Sequence, residues 1–178
     1  MIVKKSKLKG CIVFEPKIYK DGRGFFLETF RENYLHEILK KKYKFVQDNF
    51  SCSKKGVLRG LHFQRKKSQG KILSVVSGSI YDVVVDIRKK SKTFGEWQGF
   101  FLTAKKKSQI WIPPGFAHGF LSLENDTQIM YKCTEYYNPS LEEGILWNDS
   151  SLNIKWPIDI KPILSDKDMK LKKFKELF

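Results

Sequence analysis

The chain has 178 residues, a length suited to one domain, and its 34 basic and 19 acidic side chains give a formal charge of +15. With 41% hydrophobic and 14% aromatic residues it can bury roughly 70% of the surface its unfolded form exposes, which excludes disorder, collagen-like repeats and disulfide scaffolds. Cys11, Cys52 and Cys133 form no CxxC pair and leave an odd thiol, so a reducing, cytoplasmic setting without disulfides is expected.

In chain order, Ile12 to Phe14 and Phe25 to Phe30 are short β-branched and aromatic runs that read as strands. The period then changes. Phe30, Tyr34, Leu35, Ile38 and Leu39 recur at helical spacing with Glu32, His36 and Lys40 opposite, which predicts an amphipathic helix with His36 exposed to solvent. Gly56 to Gln64 is strand-like, followed by strands at Gly70 to Val76, Ser79 to Ile87, Gly99 to Ala104, Gln109 to Ile112, Gly119 to Leu123 and Gln128 to Glu135. Within Ser79 to Arg88, Tyr81, Val83, Val85 and Ile87 share one face while Ile80, Asp82, Val84 and Asp86 share the other, and Ser77-Gly78 supplies the preceding turn. Ser165 and Asp168 form an S-x-x-D capping-box pattern that predicts a second helix running through Met169, Lys170 and Leu171. Many closely spaced short strands predict an all-β antiparallel sandwich or barrel with short peripheral helices, one domain over residues 1–178.

The basic start MIVKKSKLKG runs into no apolar stretch of signal-peptide length, and no apolar run of about 18 residues occurs, so no membrane partner is expected. Only five of the basic residues are Arg (Arg23, Arg31, Arg59, Arg65 and Arg88), and the Lys fall in short groups such as Lys40 to Lys42 and Lys105 to Lys107. That dispersion fits solvated turns. No specific nucleic-acid partner is expected.

The histidines differ in setting. His62 lies in a mostly apolar run, where an imidazole needs hydrogen-bond partners or a cavity to face, so a satisfied structural histidine is the alternative to a functional one. His118 follows the Pro113-Pro114-Gly115 turn as a turn residue or cavity liner. A metal-binding small barrel often uses an HxH pair with a carboxylate and a later His; here Gln64 stands two residues after His62, the ligand count is short, and neither a metal nor an organic cofactor is expected.

Arg23-Gly24-Phe25-Phe26-Leu27-Glu28, Val46-Gln47-Asp48-Asn49, Gly56-Val57-Leu58-Arg59-Gly60-Leu61-His62-Phe63-Gln64, Gln69-Gly70-Lys71, Gly115-Phe116-Ala117-His118-Gly119-Phe120, Tyr131-Lys132, Trp147-Asn148-Asp149 and Leu164-Ser165-Asp166-Lys167-Asp168, in that order, resemble the dTDP-4-dehydrorhamnose 3,5-epimerases from about Phe14 to Asp168. The resemblance implies a cupin-like jelly-roll homodimer that epimerises a dTDP-linked 4-keto-6-deoxy sugar at C3 and C5. In the family's pattern His62 matches the base, Asp168 the carboxylate that orients it, Tyr131 the proton donor and Lys71 the cation near the C4 oxygen. Inverting a carbon beside a ketone needs a base on one face, an acid on the other and a group that holds the enolate charge.

The same resemblance assigns Arg23 and Arg59 to the diphosphate or sugar, and Gln47, Asn49, Glu28, His118, Glu142 and Lys167 to polar substrate contacts. Phe26 and Tyr137 match aromatic partners of the base or sugar ring, and some of these residues are expected from the neighbouring subunit. A 3-epimerase, a GDP-sugar epimerase and a non-catalytic sugar-nucleotide-binding cupin are the alternatives. Cys133 for a common Thr, Ser150 for Pro, Glu143 for Arg and a basic Arg65-Lys66-Lys67-Ser68 loop depart from the pattern. In a regular strand Arg59 and His62 face opposite sides, so placing both in one pocket requires a kink or bulge at Gly60.

Overall fold

The computed structural model describes residues 2–159 and 161–178. Among these the elements run β1 (Ile2–Lys5), β2 (Ile12–Glu15), β3 (Ile18–Asp21), β4 (Gly24–Leu27), α1 (Glu32–Leu39), β5 (Gln47–Ser53), β6 (Leu58–Gln64), β7 (Lys71–Ser77), β8 (Ser79–Asp86), β9 (Trp97–Thr103), β10 (Gln109–Ile112), β11 (Phe116–Ser122), β12 (Thr127–Cys133), β13 (Glu142–Gly144), α2 (Asp166–Met169) and α3 (Phe174–Leu177). Six strands pair as β1-β2-β10-β7-β12-β5, five as β13-β6-β11-β8-β9, and β3-β4 forms a separate hairpin. Every paired strand named here is antiparallel. This is the cupin-like jelly roll expected, with the helices at its edges.

The two sheets enclose the main core. Leu73, Val75, Ile110 and Ile129 of the larger sheet meet Ile80, Val84, Leu102, Phe116 and Phe120 of the smaller one. Strand β8 is buried on both faces, which its period-two pattern of β-branched residues permits. Its second face, Tyr81, Val83 and Val85, packs under the C-terminal segment with Leu152, Trp147, Trp156 and Phe174. A third cluster seats Leu35, Ile38 and Leu39 of α1 against Phe14, Ile72 and Trp111.

One local expectation changes. His36 is half-buried rather than solvent-exposed, because its Nε2 turns back to the Tyr43 backbone, 3.1 Å from the N–H and 3.0 Å from the C=O. The turn expected at Ser77-Gly78 is present, and because β7 and β8 lie in different sheets it forms a corner between layers. Gly78 has φ +74°, and a Cβ there would fall 2.4 Å from Thr127 Oγ1, so the corner needs glycine for both conformation and space.

At the end of β8, Asp86 is fully buried and closes the following loop. It accepts hydrogen bonds from Arg88 Nε at 2.8 Å and Nη2 at 2.6 Å, from Ser91 Oγ and Thr93 Oγ1 at 2.6 Å each, and from the Arg88 backbone N–H at 3.0 Å. Burial pushes its carboxyl up, but these bonds outweigh it and hold the pKa at about 2, below the ordinary 3.8. A depressed folded pKa contributes stability in full above the unfolded value and loses it as pH falls through the folded value; the gap corresponds to about 2 kcal/mol. We expect Asp86→Asn to lower the unfolding free energy by about that amount at pH 7 in urea titrations. The difference from the native protein should narrow between pH 5 and pH 2, and a pH-independent difference would contradict this account.

Candidate active site

The two sheets splay at one end around a cavity of about 390 Å³. From the smaller sheet β6 supplies Arg59 and His62, and β11 supplies His118. From the larger sheet β7 supplies Lys71, β12 supplies Tyr131, and β5 supplies Ser51. Lys167 and Asp168 enter from α2.

Strand β6 brings Arg59 and His62 to one pocket by a bulge. His118 of β11 pairs with His62 and Phe120 with Arg59, so a three-residue step on β6 opposes a two-residue step on β11. Gly60 sits in this step with φ +118°, and a Cβ there would fall 2.5 Å from Gly119 Cα and 2.7 Å from the His118 carbonyl. Only glycine allows the two backbones this close.

His62 is held from α2. Ser165 caps that helix, its Oγ accepting the Asp168 N–H at 3.1 Å. The reciprocal arm of a capping box is absent, because the Asp168 carboxylate turns instead to His62 Nε2 at 2.5 Å. Burial pushes the Asp168 carboxyl up. The hydrogen bond and charge of His62, with the Ser165 and backbone Gly60 bonds, prevail and leave it below the usual carboxylate range. With Nε2 engaged, Nδ1 is the free ring nitrogen; it lies 3.9 Å from Glu142 Oε1.

Across the cavity, burial raises the Tyr131 phenol above its ordinary value, with Cys133 and Glu142 adding to this and Arg59 opposing it. Tyr131 therefore keeps its proton at neutral pH. Lys71 starts β7 opposite Cys133; burial pushes its ammonium down, while Cys133, Glu142 and Asp82 pull it back up. A second carboxylate–imidazole pair lies deeper, where His118 Nε2 is 2.7 Å from Oδ2 of the fully buried Asp82.

Outside the cavity lining proper, a polar chain runs up to the exposed Lys167 at the mouth. Gln47 Nε2 donates to Asn49 Oδ1 at 2.9 Å, and Gln47 Oε1 accepts the Tyr137 N–H at 2.7 Å. The Tyr137 hydroxyl donates to Glu142 Oε2 at 2.7 Å, and Lys167 Nζ ion-pairs with the same oxygen. Arg23, Phe26 and Glu28 stand apart from this assembly. Arg23 reaches only Asp21 among the described hydrogen bonds, Nη2 to Oδ2 at 2.7 Å, and Glu28 binds Arg31. Phe26, 69% exposed, lines a separate cleft with Glu28, Tyr19 and Tyr34.

Sequence reasoning missed Ser51 as a pocket group and Asp82 as the buried partner of His118. Asp82 carried a signal: a carboxylate amid Ile80, Val83 and Val84 on a doubly buried strand must find a partner. Gln64 makes no approach to a metal-type constellation, since it ties down the Lys67 and Tyr136 carbonyls and the Asn138 N–H. Among the described residues no group of three or more His, Cys, Asp or Glu is placed to hold a metal ion, and no helix is long and apolar enough to cross a membrane.

A jelly roll whose interior presents a carboxylate-held imidazole on one wall and a protonated phenol on the other is the framework of a cupin-type isomerase. The dTDP-4-dehydrorhamnose 3,5-epimerase family model matches residues 5–176, and the chain belongs to that family. It is 49% identical over 175 residues to a dTDP-4-dehydrorhamnose 3,5-epimerase from Shigella flexneri, covering 98% of this chain and 96% of the relative. A solved dTDP-6-deoxy-D-glucose-3,5-epimerase from Legionella pneumophila, in complex with dTDP-4-keto-L-rhamnose, superposes with a TM-score of 0.96 at 46% identity, covering 99% of this chain and 94% of that one. A 3'-monoepimerase from Streptomyces bikiniensis, in complex with dTDP-quinovose, gives 0.89 at 34% identity over 94% of this chain and 85% of that one.

The bulge generates a direct test. Gly60→Ala should destabilise the fold by about 2 kcal/mol or more in thermal or urea unfolding. Gly24→Ala isolates the backbone effect, since Gly24 also has positive φ, +132°, but open space around its Cβ position. A smaller loss at Gly60 than at Gly24 would contradict the close-approach argument.

Proposed function

We propose that this chain is a cofactor-independent dTDP-4-dehydrorhamnose 3,5-epimerase, inverting C3 and C5 of dTDP-4-dehydro-6-deoxy-D-glucose on the way to dTDP-L-rhamnose, with residues 1–178 as one catalytic domain. The observation that carries the reading is the approach of His62 and Tyr131 from opposite sheets to one cavity. His62 Nδ1 takes the proton α to the C4 ketone, and the electron pair passes into an enolate. Asp168 orients the ring through Nε2 and stabilises the imidazolium. Lys71 and His118 meet the developing oxyanion, and the Tyr131 hydroxyl returns a proton to the opposite face.

Arg59 and Lys167 serve the diphosphate, with Gln47, Asn49, Tyr137 and Glu142 contacting the substrate at the mouth. Arg23, Phe26 and Glu28 belong to the same site through a homodimer, in which the exposed β3–β4 region of one subunit completes the cavity of the other. Their distance from the rest of the site within one chain supports this arrangement. The free thiols of Cys11, Cys52 and Cys133 suit a cytoplasmic setting.

Incubation with the 4-keto sugar nucleotide in D2O, followed by NMR, tests the reaction. Deuterium should enter at both C3 and C5. Entry at C3 alone would make the protein a 3-epimerase, and no entry would overturn epimerase function. His62→Ala should abolish exchange while retaining nucleotide affinity, and Asp168→Asn should lower kcat by about 10²–10⁴.

Subunit mixing tests the shared site. His62→Ala and Arg23→Ala chains, each impaired alone, should regain activity when dissociated and reassociated together, because each mixed dimer then contains one whole site. Without recovery, the arginine acts within its own subunit or not at all.

A further inference from the structure

The proposed chemistry leaves the site with misplaced protons after each inversion, and the present inference rests on that chemistry. When His62 takes a proton from one face of the sugar and Tyr131 delivers one to the other, an imidazolium and a phenolate remain. The second inversion needs a neutral imidazole and a protonated phenol again. Returning the His62 proton to the carbon it came from undoes the inversion, so the proton must leave His62 toward another acceptor.

The surroundings of the imidazole restrict that acceptor. Nε2 faces Asp168, a residue of α2 that is 3% exposed, a poor route to bulk water. Nδ1 faces Glu142 Oε1 at 3.9 Å, about 1 Å beyond a hydrogen bond, a gap that a small side-chain rotation or one bridging water closes. The other oxygen of Glu142 is bound by the Tyr137 hydroxyl and by Lys167. Both of these stand at the solvent-exposed mouth: Tyr137 is 47% exposed and the Lys167 side chain 54%. Glu142 is thus a carboxylate, its side chain 10% exposed, with one oxygen toward the imidazole and one on the exposed Tyr137 and Lys167 side chains, and β13 fixes it there by pairing Glu142 with Gln64 and Gly144 with His62 itself.

We infer that Glu142 is the proton exit of the site, discharging His62 between the two inversions. The imidazolium passes its Nδ1 proton to the carboxylate, giving neutral imidazole and a carboxylic acid. The acid releases that proton to water at the mouth, and the Tyr131 phenolate takes one from water. One proton leaves and one enters per inversion, with no oxidation or reduction. Burial raises the Glu142 carboxyl, but the bonds from Lys167 and Tyr137 and the charge of His62 leave it below the ordinary range. An acid formed there sheds its proton rather than holding it.

The test separates a relay from an ordinary substrate contact by comparing two rates. Rapid-quench experiments with the dTDP-linked 4-keto sugar give the rate constant of the first inversion and the steady-state rate of double inversion. In Glu142→Gln the ratio of the second to the first should fall by about tenfold or more, with close to one equivalent of singly inverted sugar accumulating per site. Glu142→Asp, which keeps a carboxylate, should restore much of the ratio. An equal fall in both rates, or a rise in KM alone, overturns the relay while leaving the epimerase reading intact. Failure of the native protein to invert either carbon overturns both.

Discussion

The meeting of two backbones at Gly60 and Gly119 is the constraint on which the site depends. A regular β6 would send Arg59 and His62 to opposite faces, one of them into the packed layer beneath the smaller sheet. The bulge against β11 rotates the strand by one residue, so both side chains reach the cavity while Leu58, Leu61 and Phe63 remain in the core. Pairing with β11 also sets His62 beside His118, and pairing with β13 sets it beside Gly144, so the position of one imidazole is determined by hydrogen bonds on both edges of its strand.

Legibility in the sequence followed the apolar signal. The strands with β-branched or aromatic alternation, β2, β7, β8, β10 and β12, stand where the pattern placed them, to within a few residues at their ends. Strand β5 did not register, because its inward-facing residues Gln47, Asn49, Ser51 and Ser53 are polar, the reverse of what a core-facing strand presents, and of these Ser51 lines the cavity. Strands β1, β3 and β13 are three or four residues long with few buried side chains, too short for any period to emerge. The capping pattern at Ser165 located the start of α2, which ends at Met169 rather than running on through Lys170 and Leu171, yet the partner of Asp168 was invisible to local reasoning: His62 is 106 positions away, and only the resemblance linked them.

Strand β8 carries two buried carboxylates with opposite fates. Asp86 is saturated by Arg88, Ser91 and Thr93, and nothing about it points beyond the fold. Asp82 has one oxygen on His118 and another with no hydrogen-bond partner among the described residues, and its charge reaches Lys71. A carboxylate retained in that state costs stability unless its field serves something. By opposing the desolvation of Lys71 it helps keep an ammonium at a buried position, and in the proposed mechanism a cation there acts on the oxyanion more strongly than it could in bulk water.

Of the departures from the family pattern, Ser150 is exposed and nothing in the structure explains it; the others fall into two physical groups. Glu143 and the basic loop meet each other: Arg65 binds Glu143 with both ends of its guanidinium, Nε to Oε1 at 2.6 Å and Nη2 to Oε2, while its plane covers Phe63 and Phe178. That exchange belongs to the outer layer and does not enter the cavity lining. Cys133 is different. It sits between Asn49, whose Nδ2 reaches Sγ at 3.6 Å, and Lys71 in register across the strand pair. Burial pushes its thiol up, with Lys71 and Asn49 opposing, so it stays a neutral, weakly polar group beside the buried ammonium. A sulfur accepts a hydrogen bond more weakly than the hydroxyl of the family pattern would, so the Asn49 amide is held less tightly at this position than at an oxygen acceptor.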